Sequence, residues 1–258
     1  MGTSESSHHW FKISGIRINA VQIPGAIAVM EEAILSKKSG RYIVAANVHV
    51  ITEAAQNSDL KEAVNSSALT VPDGMPLVWA ARQRGFHLEE RVYGPDLMMT
   101  FLERTQDKKY RHFFYGSDDH SMQGLIRNLL TKFPALNICG YHCPPFRPLD
   151  KKEDEMIIRL INDAAPDILW VGLGCPKQEI WMYEHKDSLV VPLMAGVGQA
   201  FDLFAGTKRR APRWMQKSGL EWLFRLSQEP RRLWSRYLWS NTYFIYRAIK
   251  EALFIKSG

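Results

Sequence analysis

The sequence predicts an α/β protein, a mostly parallel sheet flanked by helices, that ends in a basic, aromatic α-helical appendage. Three observations carry this. From residue 112 onward, short apolar runs alternate with stretches of helical period, the pattern of βαβ units with parallel strands and right-handed crossovers. The turns that leave those runs hold glycine: Gly116, Gly172 with Gly174, and Gly196 with Gly198. After Gly206 the texture changes, because residues 207–258 hold 12 Lys and Arg against 3 Asp and Glu, whereas residues 1–206 hold 21 against 24. A body of net −3 (residues 1–206) therefore precedes an appendage of net +9 (residues 207–258), and such asymmetry points to an anionic partner for the appendage.

In order along the chain, residues 14–20 alternate polar and apolar and read as a strand or hairpin arm. Residues 26–38 form a helix that stops at Gly40, and residues 42–46 form a buried strand delivering Asn47, Val48 and His49 at its C-terminal end. Short helical stretches follow at 51–56 and 60–64. Residues 68–79 begin as an apolar strand, break at Pro72-Asp73-Gly74, and resume as a helix with Pro76 near its start and its end near Gly85. Arg91-Val92-Tyr93-Gly94-Pro95-Asp96 is a second turn, feeding a helix over 97–106. Strands at 112–115, 136–140, 168–172 and 189–195 then alternate with helices at 120–132, 153–164 and 178–185. Residues 220–254 are helical in pattern, broken or kinked at Pro230.

Composition excludes several classes. A chain of 258 residues, 46% hydrophobic and 23% charged, has the make-up of a soluble globular protein with a full core. Cys139, Cys143 and Cys175 cannot all pair and lack zinc spacing, so they read as thiols of a reducing compartment. Residues 1–9 have neither the basic nor the apolar region of a secretory signal, and no window reaches the ~18 apolar residues of a spanning helix.

Strand ends in open α/β sheets are where ligands bind. With its strand ending at Val71, Asp73 falls in a stiff turn on that rim, where a short-stemmed carboxylate can take a proton from a substrate hydroxyl. The plainer reading of Pro-Asp-Gly is turn chemistry, with Asp73 bonding local backbone. The run from Gly172 through Gln178 to Glu179 suits a diphosphate or nucleotide edge, or is an ordinary βα turn. Arg91 suits a bidentate phosphate clamp or a surface ion pair. Asp202 suits a ribose or sugar hydroxyl, or simply the first turn of a helix. His49, His112 and His142 lack partners for a triad or a metal and read as core or surface histidines. Asp118-Asp119 reads as a helix cap, and without an Asp-x-Asp pair a metal-held diphosphate is disfavoured. No glycine turn matches a dinucleotide fingerprint or a Walker loop. In the appendage, Trp and Tyr interleave with Arg as on an interfacial helix at an anionic membrane surface; docking on the protein's own core and a homo-oligomer contact fit the same residues. Nucleic acid would suit the charge, but no RNA- or DNA-binding motif accompanies it.

Taken together, Ala45-Ala46-Asn47-Val48-His49, Pro72-Asp73-Gly74, the segments 91–97, 172–179 and 196–202, and the appendage runs 210–214, 219–226 and 229–232 resemble the WecG/TagA/CpsF family of bacterial glycosyltransferases over about residues 12–237. That resemblance implies a Rossmann-like catalytic domain that moves a hexose or N-acetylhexosamine, of ManNAc or glucose type, from a UDP-sugar donor to a sugar on polyprenyl diphosphate. It also implies inversion, no cofactor and no metal, and a place on the cytoplasmic face of the cell membrane in cell-wall polymer or exopolysaccharide synthesis. By position, Asp73 resembles the general base, Asn47 and Gln178 the donor-pocket residues, and Arg91 and Asp202 further binding residues. Arg225 and Arg232 resemble appendage arginines that close over the site and neutralise diphosphate. The chain departs from the family at Ala45, where threonine is usual, so one sugar or phosphate hydrogen bond is missing or comes from elsewhere. Two other classes fit the residues less fully: a nucleotide-sugar or phosphate-ester hydrolase using Asp73 with water, and a non-catalytic protein that binds anionic lipid or nucleic acid.

Overall fold

Six short strands, the inner ones apolar on both faces, make the centre of the molecule. The computed structural model describes residues 9–255. The chain opens as an antiparallel hairpin, β1 (Trp10–Ile13) and β2 (Ile16–Asn19). It continues through α1 (Ile23–Leu35), β3 (Arg41–Ala46), α2 (Val48–Ala54), α3 (Ser58–Asn65), β4 (Leu69–Pro72), α4 (Met75–Gln83) and α5 (Gly94–Thr105). Then come β5 (Arg111–Gly116), α6 (Asp119–Lys132), β6 (Asn137–His142), α7 (Lys151–Asp163), β7 (Ile168–Gly172), α8 (Lys177–His185), β8 (Leu193–Gly196) and α9 (Ala200–Ala205). The appendage adds α10 (Arg213–Lys217), α11 (Glu221–Gln228) and α12 (Pro230–Ile255). Residues 1–8, in the segment without a leader pattern, and residues 256–258 of the appendage lie outside the described residues.

The sheet runs β4-β3-β8-β7-β5-β6 with every pairing parallel, an α/β architecture of Rossmann-like kind. Strand side chains alternate between two cores. Tyr42, Val44 and Ala46 of β3 and Leu169 and Val171 of β7 face one, while Ile43, Ile168 and Trp170 face the other. Chain order reverses at β3: the next strand, β4, lies outside it, and all later strands lie on its far side. The C-terminal ends of β3 and β8 are therefore the switch point, and Asn47, Asp73 and Gly196-Val197-Gly198 gather on that rim.

Local chemistry explains where elements stop. The strand expected to end at Val71 includes Pro72, aligned with Ala46; an edge strand tolerates a residue with no N–H. The Asp73 N–H then donates to the Ala46 carbonyl at 2.8 Å, fixing the turn. The outer edge of β4 is covered, since the Thr70 N–H donates to Asn19 Oδ1 of the hairpin at 2.9 Å. The strand expected over 189–195 shortens to Leu193–Gly196, following Pro192. Helix α5 starts at Gly94 rather than 97 because Pro95 suits a first turn. Asp118 caps α6 as expected, accepting from the Ser121 N–H at 2.9 Å.

Pro230 separates α11 from α12. One face of α12 docks on the body: Leu233, Ser240 and Phe244 are buried, and Thr52 Oγ1 on α2 donates to the Ser240 carbonyl at 3.3 Å. Its other face leaves Trp234, Leu238, Trp239, Ile245 and Tyr246 exposed. No helix among the described residues is long and apolar enough to cross a membrane.

Candidate active site

The seam between the sheet rim and the appendage encloses a cavity of about 890 Å³, near the top of the ~300–1,000 Å³ range of ligand pockets. Asp73 stands at its rim end, between β4 and α4. The Gly94 N–H donates to its carboxylate, yet Oδ1 is shut from water and has no partner among the described residues. Burial pushes this carboxyl up to about 8, with Glu221 adding to the rise; Arg91, and then Arg225, pull the other way without cancelling it. A buried carboxylate with an unused oxygen is costly, and such groups concentrate where chemistry is done.

Arg91 reaches the cavity because the Val92 N–H donates to the Pro72 carbonyl at 2.9 Å, tying the 91–93 turn to the end of β4. Its guanidinium lies 4.4 Å from the Tyr93 ring centroid and pairs with Glu221, which is buried at the start of α11. Burial works against the Arg91 charge, but Glu221 and Asp73 outweigh it and raise its pKa. Arg225 lines the same cavity from α11, and Arg236 lines it from α12. The Arg236 Nε is buried without a partner among the described residues, and burial together with Arg225 lowers its pKa. Two cations so placed, with a third paired to a carboxylate, leave unmet demand for an anion.

Asn47 also lines the cavity, but its Oδ1 caps α2, accepting from the His49 and Val50 N–H groups at 3.0 and 3.2 Å. Its amide NH₂ is the end with bonding capacity to offer. His49 is neutral: burial lowers it to about 3, with Arg236 and Arg225 reinforcing the effect. Its Nδ1 lies 3.3 Å from Ser240 Oγ, and Glu53, 3.8 Å away, makes no ion pair with an uncharged ring. The described residues hold no group of three or more His, Cys, Asp or Glu able to ligate a metal.

The family profile of the "Glycosyl transferase WecG/TagA/CpsF family" matches residues 11–258. The chain belongs to this glycosyltransferase family. Among its relatives is a Bacillus spizizenii protein named N-acetylglucosaminyldiphosphoundecaprenol N-acetyl-beta-D-mannosaminyltransferase, 31% identical over 84% of this chain and 82% of the relative. A Bacillus subtilis protein of the same name is 29% identical over 82% and 80%, and one from Staphylococcus aureus 28% over 84% and 83%.

Within this member of the WecG/TagA/CpsF family, the cavity unites Asn47, Asp73, Arg91 and Arg225 of the residues that the sequence singles out. Gln178 lies outside its lining. It is buried behind the rim, accepting from the Gly198 N–H at 3.0 Å and donating to Glu179 Oε1 at 3.0 Å. A Cβ on Gly196 would come within 2.5 Å of Gln178 Nε2, so only glycine allows this packing. Asp202 pairs with Lys208 at 2.8 Å, and Arg232 with Glu229 at 2.9 Å on the exposed side of α12; neither lines the cavity. His112 is a core residue, accepting from Trp170 Nε1 at 3.1 Å, as the sequence suggests. The sequence reads His49 only as a core or surface histidine and does not single out Glu221 or Arg236 as site residues. A single acidic residue opening α11 in a basic tract was the available signal for Glu221; Arg236 was one arginine among many.

Proposed function

We infer that this glycosyltransferase moves a hexose or N-acetylhexosamine from a UDP-sugar to a hydroxyl of a sugar carried on polyprenyl diphosphate, with inversion, working peripherally at the cytoplasmic face of the membrane. The observation that carries the reading is Asp73: a carboxylate with one oxygen unpartnered among the described residues, on the wall of a cavity that Arg91, Arg225 and Arg236 also line. The names of the relatives support the lipid-linked acceptor and, among donors, an N-acetylmannosamine type.

Inverting transfer needs one base on the face opposite the leaving group, and stabilisation of the diphosphate that departs. Asp73 takes the proton of the attacking acceptor hydroxyl as that oxygen bonds to the anomeric carbon and the bond to UDP breaks. Arg91 and Arg225 offset the charge that develops on the UDP oxygens, each as a charge-assisted donor. Neutral His49 can donate or accept a hydrogen bond on the cavity wall without adding charge. Gln178, pinned by Gly198 and Glu179, shapes the rim rather than swinging into the cavity.

The test is UDP release from a panel of UDP-sugars with and without polyprenyl-diphosphate-linked N-acetylglucosamine. Acceptor-dependent release that Asp73→Asn abolishes upholds the reading. Acceptor-independent release would make the protein a hydrolase and overturn it.

A further inference from the structure

The cavity changes character along its length. Its rim end holds Asp73 and the three arginines, while its far end is walled by apolar side chains of α4 and α12. On α4, Pro76, Trp79, Ala80 and Gln83 line the cavity from one helical face; on α12, Trp234, Leu238, Asn241 and Ile245 do the same. At 1.5 Å per residue these stripes lead roughly 10 and 16 Å along their helices. Trp79, Trp234, Leu238 and Ile245 are 44%, 59%, 63% and 57% exposed, so the protein itself does not cover them. The wall is nonetheless held in place. A Cβ on Gly219 would come within 2.9 Å of the Trp79 ring, and Trp222 packs edge-on against Tyr237 at 5.8 Å.

We propose that this groove between α4 and α12 is a binding site for the isoprenoid chain of the acceptor, its first units lying along the two mostly apolar stripes while the attached diphosphate meets Arg236 on the same helix. Resting on the acceptor reading above, this adds where the lipid lies. Three features of the groove choose this occupant. Its two stripes are mostly apolar, with Gln83 and Asn241 their polar members, which suits a branched hydrocarbon better than a nucleotide or a sugar. Its cationic end is continuous with it, so a single ligand must be anionic at one end and apolar at the other. The Arg236 Nε, without a partner among the described residues, lines the cavity from the helix that also supplies Leu238 and Ile245.

The groove is tested on the full chain, without vesicles, by titrating tryptophan fluorescence with farnesyl diphosphate below its micellar range and, separately, with inorganic diphosphate. The isoprenoid compound is expected to bind at least about tenfold tighter, a modest part of what burying a few CH₂ groups supplies. Leu238→Glu and, independently, Ile245→Glu should each remove most of that gain while changing the inorganic diphosphate affinity less than about twofold; both positions are exposed, so neither change opens the core. Equal affinity for the two ligands, or a gain that survives both substitutions, would overturn the proposal. So would variants that lose only sedimentation with phosphatidylglycerol vesicles, because the face would then be a bilayer contact. Failure here is separable from failure of the acceptor reading. Sugar transfer that proceeds with an unchanged preference for long-chain over short-chain acceptor in both variants sinks the groove alone. Absence of transfer to any lipid-linked sugar, with the chain-dependent gain intact, sinks the acceptor reading and leaves the groove standing.

Discussion

The sheet rim and the appendage meet at one cavity but are built in opposite ways. At the rim, polar groups are fixed mostly by nearby backbone: Asn47 by the first turn of α2, Asp73 by the Ala46 carbonyl and the Gly94 N–H, Gln178 by Gly198 and Glu179. In the appendage they are fixed by partners far away in sequence, with Glu221 on Arg91 and Ser240 on His49 and Thr52. Rigid placement suits a group that must meet a reacting atom, whereas a few long-range contacts suit groups that complete a field around it. The contrast also locates the cost. The rim keeps a carboxylate oxygen without a partner, and the appendage keeps a guanidinium nitrogen in the same condition.

The sharpest way to break this comparison is to remove the rim's carboxylate. Asp73→Asn should lower transfer by about 10²–10⁴-fold, the range for a general base. It should also stabilise the fold. The folded protein holds the Asp73 proton up to about 8 while the unfolded chain releases it near 3.8, so the folded state binds more protons across that window and stability falls as pH rises through it. The Asn variant should therefore gain several kcal/mol over the parent at pH 9 and little at pH 4, read by denaturant unfolding. Near-normal turnover would remove Asp73 from the mechanism.

A smaller loss is expected from the appendage. Arg225→Ala and Arg236→Ala should each cut kcat/KM by about 10–100-fold, the worth of one charge-assisted bond to phosphate, with circular dichroism unchanged. If both cost less than about twofold, the appendage does not complete the site.

The two regions are coupled through Arg91, and pH reads that coupling. In the parent, kcat/KM should rise with pH and level off above about 8, as Asp73 loses its proton. Glu221→Gln removes a negative charge that raises the Asp73 pKa, so the rising limb should move to lower pH. A limb that stays put would show that α11 does not tune the base.

The smallest effect belongs to the rim again. Ala45 packs against Gly94, where an ideal Gly94 Cβ would lie 3.5 Å from it, and it does not line the cavity. Ala45→Thr adds a hydroxyl and should lower the donor KM by about 2–10-fold, the range of one neutral hydrogen bond. An unchanged KM would mean that this position does not face the donor.

Much of the body was legible because its signals are short-range. Apolar runs, glycine turns and Pro-Asp-Gly marked the strands, and Asp73 followed from a strand ending at its own turn. Pro230 marked the break between α11 and α12, and the charge tally marked the appendage. The helical pattern of residues 220–254 did not say which face would dock: basic and aromatic residues surround that helix, and only contact with α2 selects Leu233, Ser240 and Phe244 for burial.

The sequence by itself determined the alternation of strands and helices from β3 to β8, the parallel sheet and the carboxylate on its rim, because propensity, periodicity and turn chemistry act over a few neighbouring residues. The tertiary structure alone decided that Glu221 would sit on Arg91, that Arg236 would be buried, that His49 would be uncharged and that Gln178 would lock the rim. Those outcomes depend on which groups, many of them more than a hundred residues apart, share one poorly solvated space, where the absence of water makes each charge felt by all the others.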